Sequence, residues 1–217
     1  MKDKYKIVIV DDHNIIIDGL SLLLSFEKNM EVVKTYNDGN AFIKDLHQNI
    51  IVPDLVLMDL FMPSINGLNC SKIIKKEFPQ IKIIILSMSC ESKIVHTLVD
   101  LIGVEGYLNK SVQRKELVLA VSEVLRGYIH LSSEAANALI CYKEKLINFN
   151  DVKFSAREKE IVSLMIEGCS NKEISAKLFI SEYTVETHRK NIYRKANVNS
   201  IPKLLQMVNS FNLLSDL

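Results

Sequence analysis

The feature that most constrains the fold of this chain is a regular alternation of short apolar runs with segments of helical period, from Tyr5 to about Gly127. Such an alternation favours parallel βα units with helices on both faces of one sheet. The predicted strands are Lys6–Val10, Met30–Thr35, Leu55–Asp59, Ile81–Leu86 and Gly106–Leu108. The predicted helices are Asn14–Phe26, Asn40–Gln48, Leu68–Phe78, Glu91–Leu101 and Arg114–Arg126.

The alternation is lost after about residue 127. Ser132–Ala138 has the composition of a single helical turn, and Asn148–Asp151 has that of a linker. We therefore predict a first domain over 1–127, a linker over 128–151 and a second domain over 152–217.

The second domain shows helix signals only. Ser155 and Ser170 each precede a glutamate by three positions, which is the capping-box form. Ser181 is placed to cap a third helix, and Pro202 stands in the first turn of a fourth. These signals predict an all-α unit of four helices, with a tight turn at Phe179–Ser181 between the second and third.

Composition excludes several classes of protein. Hydrophobic residues make up 48% and charged residues 24% of the 217 residues, which are values of a globular protein. No apolar run approaches the roughly 18 residues of a membrane span, and the start of the chain becomes charged too soon for a signal peptide. The four cysteines have no paired spacing, which indicates a reducing compartment, and we expect a cytoplasmic protein. The net charge of +1 neither indicates nor excludes binding to nucleic acid.

Acidic side chains follow two of the predicted strands. Asp11 and Asp12 come after the first strand, Asp59 ends the third, and Ser87 and Lys110 follow the fourth and fifth. The carboxyl ends of parallel strands meet at one edge of a sheet, so these groups are expected to converge. Any one aspartate is equally well explained as a helix cap. Together, the carboxylates suit Mg²⁺, and the lysine and hydroxyl suit a phosphoryl group.

These motifs resemble the receiver domain of two-component response regulators over about residues 4–127. That domain has a flavodoxin-like, doubly wound, five-stranded parallel sheet, which agrees with the predicted strands. The motifs that carry the resemblance are Val8–His13, Leu57–Pro63 with Gly67, Leu86–Met88 and Gly106–Lys110.

The resemblance implies a role for each residue of the acidic edge. Asp59 is expected to accept the phosphoryl group, and Lys110 to contact one of its oxygens. Ser87 is the expected switch hydroxyl, drawn toward the phosphoryl group, and Tyr107 is the switch aromatic, which turns inward. The expected Mg²⁺ ligands are the side chains of Asp12 and Asp59, Asp11 acting through water, and the backbone carbonyl of Phe61.

The third helix of the second domain, about Glu182–Ala196, combines basic residues with threonine and asparagine. Such residues suit phosphates and base edges, although a solvated charged face has the same composition. The surrounding motifs resemble the LuxR-type helix-turn-helix over about 152–212. A receiver followed by this unit is the arrangement of the NarL/FixJ family of response regulators. The motifs are Phe154–Glu158, Glu167–Ser175, Ile180–His188 and Asn191–Lys195.

By this resemblance Glu186, Thr187 and Lys190 face the bases. Glu186 stands where a lysine is frequent, and it either accepts from cytosine N4 or lowers non-specific affinity. The expected DNA-contacting residues are Lys172, Thr184, Glu186, Thr187, Arg189, Lys190, Asn191, Arg194 and Lys195. The expected dimer contacts on the last helix are Leu204, Leu205 and Val208.

The resemblance implies a cytoplasmic regulator that a sensor histidine kinase phosphorylates on Asp59 with Mg²⁺. A homodimer, formed on phosphorylation or on DNA, then binds double-stranded promoter DNA, and no membrane is involved. The chain is not expected to be an enzyme beyond its own phosphorylation and slow autodephosphorylation. Phosphohydrolases of the haloacid dehalogenase group need a second aspartate where Phe61 stands. A DNA-binding regulator whose receiver only dimerises, without phosphorylation, remains as the alternative.

Overall fold

Six parallel strands, in the order β2-β1-β3-β4-β5-β6, form the sheet of the N-terminal unit, Met1–Tyr142. The computed structural model describes residues 4–150 and 154–211. The five predicted strands are confirmed, with ends that differ by at most one residue. The strands are β1 (Tyr5–Val10), β2 (Met30–Tyr36), β3 (Leu55–Asp59), β4 (Lys82–Ser87), β5 (Gly106–Asn109) and β6 (His130–Leu131).

Helices cover both faces of this sheet, because successive residues of a strand point to opposite sides. Val8 and Val10 pack on one face with helices α2, α3, α4 and α6, whereas Ile7 and Ile9 pack on the other with α1 and α5. The predicted doubly wound α/β fold is thereby confirmed. The helices are α1 (Asn14–Ser25), α2 (Gly39–His47), α3 (Gly67–Glu77), α4 (Ser92–His96), α5 (Arg114–Leu125) and α6 (Ser133–Asn150).

The winding of the sheet reverses between β1 and β3, which are neighbours with helices leaving on opposite faces. At such a point the loops after the two strands separate and leave a crevice at the carboxyl edge. Asp11 directly follows β1, and Asp59 is the last residue of β3. The topology therefore brings the predicted acidic residues together.

Most of the predicted linker over 128–151 has regular secondary structure, within the described residues 128–150. β6 pairs in parallel with β5, and the 18-residue α6 follows it. Ala135, Leu139 and Tyr142 recur at helical spacing and are buried on the first unit. A strand of two residues, such as β6, is too short to be recognised in the sequence. The apolar residues of α6 are separated by polar ones, so their helical spacing is not evident from the sequence either. Residues 151–153, at the predicted boundary between the linker and the second domain, lie outside the described residues.

The helix after β4 also departs from its predicted regular form. α4 continues as a π-helical segment over Thr97–Ile102. The segment ends at Gly103, whose φ of +83° is a left-handed conformation that favours glycine. The amides of Gly103 and Val104 both donate to the carbonyl of Leu98, which closes the wide turn.

Four helices follow α6 in the described part of the C-terminal unit, Lys143–Leu217, as predicted for its sequence. Both predicted capping boxes form: the hydroxyls of Ser155 and Ser170 accept from the backbone amides three residues on, and the glutamates return the contact. Phe179–Ser181 makes the turn between the second and third of these helices. They are α7 (Ala156–Ile166), α8 (Asn171–Leu178), α9 (Glu182–Lys195) and α10 (Ile201–Phe211).

Candidate functional site

The predicted acidic residues converge at the carboxyl edge of the sheet. One potential ligand atom from each of Asp11, Asp12, His13 and Asp59 lies within 4.8 Å of the others. Asp11 and Asp59 are buried, and Asp12 is half-buried. Close carboxylates repel one another in a site of low polarity, so the arrangement requires positive charge.

Lys110, which follows β5, supplies part of that charge. Its Nζ lies 2.7 Å from Asp11 Oδ2 and 3.0 Å from Asp59 Oδ1. Burial alone would lower the pKa of Lys110, but the two carboxylates outweigh it and raise the pKa. Burial raises the pKa of Asp59, Asp11 adds to this effect, and Lys110 opposes it. At Asp59, Lys110 therefore does not fully offset the combined effect of burial and the neighbouring Asp11 carboxylate.

The donor set fits a divalent cation. Asp11 Oδ2 and Asp12 Oδ1 are buried and make no hydrogen bond of ordinary geometry, even though Lys110 and His13 are close to them. Buried carboxylate oxygens are normally satisfied by hydrogen bonds or by a metal. Oxygen ligands of this kind are those that Mg²⁺ prefers.

The loop after Asp59 leaves no room for a side chain at Gly67. A Cβ placed on Gly67 would lie 2.1 Å from the backbone oxygen of Asp59. The amide of Gly67 donates to the Leu60 carbonyl at 2.9 Å, and the amide of Phe61 donates to Asp59 Oδ1 at 3.3 Å. The glycine thus allows α3 to begin directly against the predicted phosphoacceptor.

Ser87 and Tyr107, the predicted switch pair, are adjacent and fully buried. The amide of Ser89 donates to Ser87 Oγ at 3.1 Å, and the Tyr107 hydroxyl donates to the Ser89 carbonyl at 2.5 Å. Burial raises the pKa of Tyr107 to about 12, and the Ser87 hydroxyl opposes this effect. Tyr107 thus lies in the inward position toward which it was expected to turn.

The exposed side of α9 carries the residues that were predicted to face DNA bases. Glu186, Thr187 and Lys190 are exposed, whereas Val185 and Ile192 are buried in the core of the C-terminal unit. Because the two groups lie on opposite sides of one helix, packing of the core fixes which side is presented to solvent.

Several of the other predicted DNA contacts have partners within the C-terminal unit. Arg189 Nη1 donates to Asn171 Oδ1 at 2.6 Å, and Arg194 Nη2 donates to Asn191 Oδ1 at 3.0 Å. Lys195 Nζ lies 2.6 Å from Glu158 Oε2, a carboxylate that is almost fully buried. Lys172 is exposed on α8, and Thr184 bonds the cap residue Ser181.

Two family models match the chain. The model described as response regulator receiver domain matches residues 7–122, and that described as bacterial regulatory proteins, luxR family, matches residues 152–208. The oxygen regulatory protein NreC of Staphylococcus carnosus is 38% identical over 93% of this chain and 95% of its own length. The transcriptional regulatory protein DegU of Brevibacillus brevis is 32% identical over 91% and 90%. The chain belongs to the NarL/FixJ family of response regulators.

Solved structures agree with this assignment of the response regulator. The RcsB response regulator of Salmonella typhimurium matches with a TM-score of 0.73 and 26% identity, over 95% of this chain and all of that chain. RcsB from Salmonella enterica serovar Typhimurium bound to promoter rprA, with the phosphomimetic BeF₃⁻, matches with a TM-score of 0.62 and 26% identity. That match covers 95% of this chain and 99% of the RcsB chain.

The predicted dimer residues of the response regulator differ in exposure. Leu204 is fully buried and Val208 is 5% exposed, both within the core of the C-terminal unit, which argues against a direct dimer contact for these two. Leu205 remains partly exposed. The side chain of Phe211, a further member of this apolar stripe, lies outside the described residues. Within the described parts of the chain, no helix has the length and hydropathy of a membrane span.

Sequence reasoning missed three contributors to the sites of the response regulator. His13 Nδ1 lies 2.8 Å from Asp12 Oδ1, and its position directly after the aspartates was the available signal. Asn171, the partner of Arg189, and Glu158, the partner of Lys195, come from other helices. No pattern within α9 identifies those partners.

We expect Glu158→Gln to lower the stability of the C-terminal unit by about 1–2 kcal/mol at pH 7, because a buried charged acceptor is lost. Burial acts to raise the pKa of Glu158, but hydrogen bonds from Lys195 and Ser155 outweigh it and lower the pKa below 4.5. A carboxylate whose pKa is lowered on folding stabilises the fold at pH values above its ordinary pKa. This stabilisation is lost as the pH falls through the pKa of the folded state.

Calorimetry of the full chain, and hydrogen exchange of the α7 amides, should show that the variant is less stable than the wild type at pH 7. This difference should decrease as the pH falls below 4.5, the ordinary pKa of a glutamate. Glu160→Gln is the matched control, since Glu160 pairs with Arg157 on the same helix and its side chain is 44% exposed, against 5% for Glu158. Pairs nearer to solvent contribute less. Equal losses in the two variants would contradict the prediction.

Proposed function

We propose that this response regulator is a cytoplasmic, phosphorylation-controlled transcription regulator. A sensor histidine kinase would phosphorylate Asp59, and the phosphorylated chain would bind promoter DNA as a dimer. The observation that carries the proposal is the convergence of Asp11, Asp12 and Asp59 with Lys110 at the winding reversal of the sheet.

The proposed transfer uses Asp59 as nucleophile. One carboxylate oxygen attacks the phosphorus of a phosphohistidine on the kinase, so that a P–O bond forms and the P–N bond breaks. The imidazole nitrogen that leaves takes a proton from water. Lys110 lies where it would hold a phosphoryl oxygen, since its Nζ is already 3.0 Å from Asp59 Oδ1.

Asp12, Asp59, Asp11 through water and the Phe61 carbonyl would hold Mg²⁺. When bound, Mg²⁺ supplies charge that offsets the carboxylates and polarises the phosphoryl oxygens. The buried Asp11 and Asp12 oxygens, which lie against Lys110 and His13 without a well-directed hydrogen bond, support this role.

The proposed switch runs from Ser87 to Tyr107. The new charge on Asp59 would draw the Ser87 hydroxyl toward it by a charge-assisted hydrogen bond. Tyr107 would then be retained inward through its bond to the Ser89 carbonyl.

In the C-terminal unit, α9 would enter the major groove of the DNA. Leu205 is the residue of α10 that we retain as a dimer contact.

We expect the wild-type chain to take radiolabel from a small phosphodonor in the presence of Mg²⁺, and Asp59→Ala to take none. Asp18→Ala, which removes an exposed carboxylate on α1, is the control and should label normally. Light scattering with Mg²⁺ and beryllofluoride should show the mass of a dimer for the wild type and of a monomer for Asp59→Ala.

Undiminished labelling of Asp59→Ala would contradict the assignment of the phosphoacceptor. Normal labelling with an unchanged mass would contradict phosphorylation-dependent dimerisation, but it would leave the assignment of Asp59 as phosphoacceptor intact. Equal promoter binding by the wild type and Asp59→Ala, with phosphodonor present, would favour the phosphorylation-independent alternative.

A further inference from the structure

An ion pair lies on the exposed side of α9. Glu186 Oε1 and Lys190 Nζ are 2.9 Å apart, and the two residues are one helical turn apart. Their side chains are 53% and 75% exposed, so neither has a role in the core. Exposed pairs of this kind stabilise a helix only weakly. Stability alone therefore does not account for this acid among the basic residues of α9.

Glu186 and Lys190 are the main hydrogen-bonding side chains on the exposed side of α9. Tyr183, Glu186, Thr187 and Lys190 follow one another at helical spacing on the side opposite the buried Val185. Thr187 Oγ1 already donates to the backbone carbonyl of Tyr183 at 3.0 Å. Glu186 and Lys190 thus present one acceptor and one donor side by side.

We propose that this ion pair binds a single C·G base pair in the major groove, with cytosine on the side of Glu186. The Glu186 carboxylate accepts from cytosine N4, and the Lys190 ammonium donates to guanine O6 and N7. This inference rests on the proposed function, in which α9 enters the groove, and it names the base pair that α9 selects.

The spacing of the two groups matches the edge of a C·G pair. Cytosine N4 and guanine O6 are joined by a hydrogen bond of ordinary length, about 2.9 Å. The carboxylate oxygen and the ammonium nitrogen are separated by the same 2.9 Å. Two hydrogen bonds, each bent from linear geometry, can therefore form side by side without separating the ion pair.

The other base pairs fit less well. An A·T pair offers a donor at N6 and an acceptor at O4, but adenine N7 then faces the carboxylate, and the thymine methyl group faces the ammonium. In the C·G orientation the carboxylate meets no second acceptor, and the ammonium gains one in guanine N7. If either base pair is reversed, the Glu186 carboxylate faces an acceptor, guanine O6 or thymine O4, and no hydrogen bond can form between them.

The test is selection of DNA from a pool of randomised duplexes by the full chain, with Mg²⁺ and beryllofluoride present. The variants are Glu186→Ala, Lys190→Ala and the exchange Glu186→Lys with Lys190→Glu, which keeps the charge and the ion pair. Glu167→Gln is the matched control, because Glu167 is equally exposed and lies near a lysine, Lys177, away from α9.

We expect the wild type and Glu167→Gln to select C·G at one position of each half-site. Glu186→Ala and Lys190→Ala should lower that preference by about 5- to 150-fold. The exchange should select G·C at the same position.

The same preference in the wild type, Glu186→Ala and the exchanged variant would overturn the inference. A uniform gain in affinity of Glu186→Ala for all sequences, without a change of preference, would do so as well, since Glu186 would then only reduce non-specific binding. Absence of any sequence selection by the wild type would instead contradict the proposed function itself.

Discussion

Gly67→Ala should be strongly destabilising, by about 3 kcal/mol, and should also impair phosphorylation. A Cβ at this position would lie 2.1 Å from the Asp59 oxygen and 3.0 Å from both the Asp59 carbonyl carbon and Leu60 Cα. All three atoms belong to the backbone, so no side-chain rotation can relieve the contact. The chain must move at the end of β3, and the Asp59 carboxylate moves with it.

Displacement of a reacting group by about 1 Å can cost about 100-fold in rate, and we expect a loss of that order in labelling from a small phosphodonor. Gly19→Ala is the matched control. Gly19 lies inside α1, and beyond the backbone of that helix and the neighbouring residues no atom lies within 4 Å of an added Cβ. The substitution should therefore stabilise the chain by about 0.5–1 kcal/mol. Calorimetry that gave the two variants equal stability would refute the steric argument.

Lys110→Met should lower the free energy of unfolding by about 3 kcal/mol at pH 7, because it removes the cation from a nearly buried group of charges. The Lys110 side chain is 9% exposed, and those of Asp11 and Asp59 are 1% and 4% exposed. The two carboxylates would then repel each other without the ammonium between them.

The effect of pH on this variant has a definite sign. Burial already raises the pKa of Asp59 above 3.8, and loss of Lys110 removes the group that opposes this effect. The folded state then binds a proton more readily than the unfolded state, so stability is lost as pH rises through the interval between the two pKa values. Lys110→Met should therefore be more stable at pH 5 than at pH 7, relative to the wild type.

Addition of Asp59→Asn to Lys110→Met is the decisive control. The amide removes the like charge, so the double variant should recover part of the stability at pH 7 and lose most of the pH dependence. Urea unfolding at the two pH values measures both effects. If the single and double variants had the same stability at pH 7, repulsion between the carboxylates would not be the cause.

Residues whose roles follow from local order were predictable from the sequence. Asp11, Asp59 and Lys110 each end or follow an apolar strand, and parallel strands can only bring such ends together at one edge. The caps at Ser155 and Ser170 were equally predictable, because a capping box lies within four consecutive residues.

Features that depend on packing between distant segments were not predictable. Lys195 has the sequence of a DNA contact, yet it pairs with a carboxylate 37 positions earlier. Leu204 and Leu205 are identical neighbours, and only packing of the core buries the first and leaves the second partly exposed. The apolar stripe of α6 identifies a helix only once the surface that receives it is known.

The short strand β6 changes where the receiver ends as a folding module. The amides of His130 and Ser132 donate to the carbonyls of Glu105 and Tyr107, so they occupy the outer edge of β5. A proteolytic fragment that stopped near residue 127 would leave that edge bare and uncover the apolar surface beneath Leu139. Bare edges recruit strands from other molecules. We therefore expect a receiver fragment that reaches into α6 to self-associate less than one that stops near residue 127. Phosphorylation studies on the shorter piece would then measure self-association as well as signalling.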